Sequence, residues 1–212
     1  MKTSELIQAL STAVKPAPPA PVARRIVPAL LAGAAVALAM LLLWFGLRPL
    51  DEAVQTRSFW MKGGYTVTLA LAGLMLVAAL SRPGRTSRWA WVLVGVALVS
   101  VSGIAVMQLM RAPPETRMAL WLGQTWAMCP WRIAAFAAPI LIALLFAMRR
   151  LAPTRLAAAG AAAGLLAGAL GATIYELFCQ ETAAAFVATW YTLGIALCAG
   201  VGAIVGARLL RW

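Results

Sequence analysis

The chain has 212 residues, 63% of them hydrophobic and only 11% charged, with a mean hydropathy of +0.88. A soluble domain of this length needs far more polar surface. The formal net charge is +12 and histidine is absent, which removes a Ser-His-Asp arrangement, a His-ligated haem and a His/Cys zinc site from consideration.

Residues 4–14, SELIQALSTAV, are patterned as a short amphipathic helix. At 100° per residue, Leu6, Ile7, Leu10, Ala13 and Val14 share one face. Thr3 or Ser4 can cap this helix, and Glu5 suits its first turn. Three readings are open for it: a helix that docks into a partner's groove, a helix lying on the bilayer, or a segment that stays unfolded because eleven residues are marginal alone. A proline-rich spacer, KPAPPAP, follows, and Arg24 and Arg25 then mark a membrane surface. The domain reading is therefore 1–25 as a cytoplasmic arm and 26–212 as a transmembrane body.

Six apolar runs are expected to cross the bilayer as helices: 26–47, 63–80, 89–110, 132–148, 154–176 and 183–207. The first begins too late and runs too long to be a cleavable signal peptide. The fourth is short and contains Pro139, which predicts a kink; the alternative is five spans with a re-entrant segment over 116–148. Between the third and fourth runs, residues 116–128 read as an interfacial helix that Pro130 would end. The fold class is all-α: an integral membrane six-helix bundle.

With the N-terminus in the cytoplasm, the inside segments 1–25, 81–88, 149–155 and 208–212 carry twelve of the 18 basic residues and only Glu5 among the acids. The other side carries Arg48, Arg57, Lys62, Arg111, Arg117 and Arg132 together with Asp51, Glu52, Glu115, Glu176 and Glu181. The positive-inside rule places both termini in the cytoplasm. Attraction to anionic headgroups accounts for the dispersed basic residues, and direct nucleic-acid binding is not expected.

Small residues recur every four positions at Gly160, Gly164 and Gly168, and again at Gly194, Cys198, Gly202 and Gly206. Such stripes allow close helix contact in lipid. Trp44, Trp60, Trp89, Trp91, Trp190 and Trp212 fall near span ends, where interfacial anchors belong. No charge lies in the middle of any run, which argues against an ion-coupled pump. There is no Walker loop or dinucleotide-binding glycine run, so no catalysis and no cofactor are expected.

Two of the three cysteines, Cys129 in WAMCPWR and Cys179 in YELFCQE, fall in outside loops, whereas Cys198 falls in a packing stripe. The outside pair can act as a redox or soft-metal sensor, form a permanent disulfide, or share a face by coincidence.

The start MKTSELIQAL, the proline-rich joint, the six spans, and the phrases CPWRI and FCQETAAAFVATWYTLGI together resemble the NrsF-type membrane anti-sigma factors. The resemblance covers essentially the whole chain. It implies an inner-membrane protein that holds an extracytoplasmic-function sigma factor inactive. It also implies that residues 1–14 contact that sigma factor, with Leu6, Ile7, Leu10 and Val14 as anchors. Cys129 and Cys179 would belong to the part that senses heavy-metal or oxidative stress. Phe178 and Gln180 flank Cys179 where the family motif allows a histidine, which favours a thiol role over metal binding. A small permease or channel, or a scaffold subunit of a membrane complex, is the alternative reading.

Overall fold

The computed structural model describes residues 3–13, 21–82, 87–151 and 153–211, and these contain helices and no strand. In chain order the elements are α1 (Thr3–Ala13), α2 (Pro21–Trp44), α3 (Leu50–Ala53), α4 (Arg57–Leu80), α5 (Arg88–Arg111), α6 (Pro114–Leu122), α7 (Cys129–Met148), α8 (Leu156–Glu176), α9 (Ala184–Phe186), a π-helical turn (Val187–Tyr191) and α10 (Thr192–Leu209). Six helical stretches are long and apolar enough to cross a membrane, the last running through the π turn from Ala184 to Leu209. The six-span expectation holds, and the fourth run is a full span rather than a re-entrant segment.

Local chemistry explains the helix starts. Thr56 caps α4 by accepting from the Phe59 amide (3.3 Å), and Ser87 caps α5 by accepting from the Ala90 amide (3.4 Å). Prolines open α6 and α7, where a missing amide costs nothing.

Several boundaries differ from expectation. The surface helix α6 ends at Leu122 because Gly123 takes φ 61°, a left-handed backbone suited to glycine. Pro130 does not stop that helix; it sits in the first turn of α7, and Cys129 is the first residue of the span. Lys62, expected in a loop, lies in the second turn of α4 and is fully buried.

The bundle consists of two helix pairs joined by a hub. α2 packs on α7, and α5 packs on α4. α8 lies between the pairs and packs extensively on α4, α7 and α10. Glycines set these approaches. A Cβ on Gly160 would strike the Gly202 carbonyl oxygen, and one on Gly164 would strike that of Cys198, so the two small-residue stripes meet backbone to backbone across α8 and α10. Gly73 brings α4 against Leu166, and Gly171 brings α8 against Ala137 of α7.

Gly33 does the same for α2: an added Cβ would lie 2.6 Å from the Ile140 Cα of α7. Gly33→Ala is expected to lower unfolding stability by roughly 1–3 kcal/mol through this overpacking. Unfolding of the detergent-solubilised chain, followed by helix content, checks this. An unchanged midpoint would mean that α2 and α7 do not touch at this point.

Candidate functional site

At one end of the bundle, α2, α4, α7, α8 and the π turn enclose a cluster of polar and aromatic side chains. This is the end that carries Cys129 and Cys179. Cys129 is wholly buried at the start of α7, and its amide donates to the Thr125 carbonyl (2.9 Å). Cys179 is buried just beyond α8, and its amide donates to the Tyr175 carbonyl (2.9 Å). Both cysteines are free. They lie within electrostatic reach of each other and of Lys62.

Two cations hold the Cys179 turn. Lys62 Nζ donates to the Cys179 carbonyl (3.1 Å), and Arg48 Nη1 donates to the same oxygen (3.0 Å). The Arg48 amide adds a bond to the Leu177 carbonyl (3.1 Å). A buried ammonium needs such acceptors, because an unpaired one is expensive in an apolar surround. Glu176 is also buried beside this turn, and its Oε1 finds no hydrogen-bond partner among the described residues.

Glu181 ties the two cysteine-bearing segments together. Its Oε1 accepts from the Gln124 amide (2.7 Å), the Thr125 amide (3.0 Å) and the Thr125 hydroxyl (3.0 Å). Thr125 is the residue whose carbonyl receives the Cys129 amide. A short chain of bonds therefore runs from two residues past Cys179 to the start of α7. Gly123 leaves room for it, since a Cβ there would lie 2.6 Å from Glu181 Oε2.

Aromatic rings fill the interior side. Tyr175 and Tyr191 are fully buried with ring centroids 5.8 Å apart, and neither hydroxyl has a hydrogen-bond partner among the described residues. The π turn delivers Tyr191 to this place, in keeping with the occurrence of such bulges at functional sites. The Arg132 guanidinium sits over the Phe45 ring (5.3 Å) and the Phe178 ring (5.6 Å). On the rim, Trp121 donates to the Thr189 hydroxyl (3.1 Å) and Trp190 donates to the Trp121 carbonyl (3.0 Å), which docks α6 on the π turn.

A cavity of about 450 Å³ reaches this cluster and is lined by Arg132, Tyr175, Cys179, Gln180 and Glu181, among others. Cys179 borders it and Cys129 does not. Among the described residues no group of three or more His, Cys, Asp or Glu could hold a metal ion. The thiols alone would give a soft ion at most two protein ligands.

The anchors expected on the amphipathic segment lie elsewhere. α1 forms over Thr3–Ala13, with Ile7 63% and Leu10 60% exposed. It takes part in none of the extensive helix pairings. The Leu6 side chain and the whole of Val14 lie outside the described residues. Cys198 sits in the α8–α10 seam, as its spacing implied.

Packed apolar helices with a polar cluster at one end define a polytopic helical membrane protein. The chain belongs to the NrsF family, described as negative regulators of sigma F, which it matches over residues 10–212. It is 39% identical over 213 residues to the probable anti-sigma-F factor NrsF of Azospira oryzae, with both chains covered in full. It is 38% identical over 219 residues to the anti-sigma-F factor NrsF of Caulobacter vibrioides, again over the full length of both. No solved structure matches the chain. By family, this is a regulatory protein that acts against a sigma factor, not an enzyme.

Proposed function

We propose that this chain holds an extracytoplasmic-function sigma factor at the inner membrane through α1, and releases it when Cys129 and Cys179 react with an oxidant or a soft metal ion. Family membership supports the regulatory role. The observation that carries the mechanism is the division of the molecule. α1 exposes Ile7 and Leu10 apart from the extensive pairings of the bundle, while the two thiols are packed where α7 begins and just beyond the end of α8. The anchor spacing suits a groove on a partner protein.

Loss of the chain should switch on transcription by the sigma factor. Returning it without residues 3–13 should fail to restore silencing, although the protein reaches the membrane. Full silencing by the shortened chain would end the proposal.

The orientation follows the charge asymmetry, with both termini in the cytoplasm and the cysteines in the periplasm. Reporter fusions after residue 85 are expected to be active only with a cytoplasmic reporter, and fusions after residue 112 only with a periplasmic one. The reverse pattern would invert the topology and remove the thiols from the oxidising compartment.

A further inference from the structure

We propose that the crevice between α5 and the α8–α10 pair is a binding site for one acyl chain of an anionic phospholipid. α5 packs on α4 and meets α9 and the π turn at the cysteine end, where Ala105 packs with Ala184 and Ala185. It makes no extensive contact with α8 or α10. The space left is a cleft of about 390 Å³ whose walls include Tyr65, Leu80, Trp91, Leu98, Ala158 and Ala196.

The lining selects the ligand. Its polar groups are few, and two of them satisfy each other: Tyr65 Oη and Thr192 Oγ1 lie 2.7 Å apart. A polar ligand would therefore find little to bind, whereas a hydrocarbon chain loses nothing there. Along α4 the wall runs from Tyr65 to Leu80, roughly 22 Å at 1.5 Å per residue. That accommodates a chain filling about half of a ~30 Å hydrocarbon layer. The alanines of α8 and α10 keep the floor shallow, and Ala158 and Ala196 are exposed in it.

The open end fixes the headgroup. Leu80, Trp91 and Ala158 mark that end, and Arg82, Arg88 and Arg155 lie two to three residues from them, all exposed. No acidic residue occurs in the 81–88 or 149–155 segments. Three exposed arginines, each within three residues of a lining position at that end, supply positive charge that complements an anionic phosphodiester.

The test is native mass spectrometry of the full chain released from phosphatidylcholine vesicles containing a minority of phosphatidylglycerol. One retained phosphatidylglycerol per chain is expected. Ala196→Phe or Ala158→Phe, each filling the cleft from its exposed wall, should abolish it. R82Q/R88Q, on the surface and harmless to the fold, should keep a lipid adduct but lower the preference for phosphatidylglycerol over phosphatidylcholine by roughly tenfold. Equal retention by the wild type and both phenylalanine variants, or an unchanged preference in R82Q/R88Q, would overturn the proposal. A lipid-free dimer lost on Ala196→Phe would assign the cleft to a second copy of the chain instead.

Discussion

Leu10→Glu, and independently Ile7→Glu, is expected to release the sigma factor from the membrane chain in a pull-down while leaving the bundle folded. Both side chains project from α1 largely exposed, 60% and 63% respectively. Single apolar residues in that state are unremarkable on a protein surface. Two of them one turn apart on a short helix that takes part in none of the extensive helix pairings are better explained by a partner. A carboxylate carried into an apolar groove loses its hydration without a replacement, which costs at least about 3 kcal/mol, roughly a hundredfold in affinity. The bundle makes no extensive contact with α1, so its helix content should not change. The same variants discriminate the membrane-lying reading. If α1 rests on lipid instead, Leu10→Glu will detach the isolated segment from vesicles and leave sigma-factor retention unaltered, and the groove would then be the wrong idea.

Replacing either Cys129 or Cys179 by serine is expected to blunt the stress response about as much as replacing both, because a two-member switch fails when one member is lost. Cys198→Ser should be nearly silent. That thiol lies in the α8–α10 seam, where size governs the fit and serine preserves it. The cavity adds an order of events. Cys179 borders it while Cys129, the first residue of α7, is fully buried and does not, so Cys179 should be alkylated first in the resting protein and Cys129 only after the turn opens. Thiol-alkylation mass shifts, read with and without cadmium or diamide, follow both sites. Identical labelling of the two cysteines under all conditions, with a normal response from the double variant, would reduce the pair to packing.

The spans were legible because an apolar run of about twenty residues has few other uses, and the α8–α10 seam was legible because glycine every fourth position has a geometric meaning. The start of α7 was misread because proline carries two opposite signals. It discourages helix in the residue before it, yet it is favoured in a helix's own first turn. Here the second signal governs, and Cys129 belongs to a span. The electrostatic half of the site was not legible at all. Counting loop charges assigns Lys62 and Glu181 to outside segments and says nothing of what they touch. In the fold, Lys62 reaches a carbonyl 117 positions away and Glu181 binds amides 56 and 57 positions back. Partners so distant leave no local pattern, and neither does the π turn that brings in Tyr191.

The division of the bundle into two pairs and a hub also bears on how the chain is made. Spans emerge in order, and until α8 arrives the α2–α7 and α4–α5 pairs share no extensive interface. In the finished bundle α8 is the helix that packs on both pairs, so their union waits on the fifth span. A chain ending before residue 156 would lack the helix that packs extensively on both pairs. The close approaches made by the α8 glycines are what let one helix serve both pairs at once.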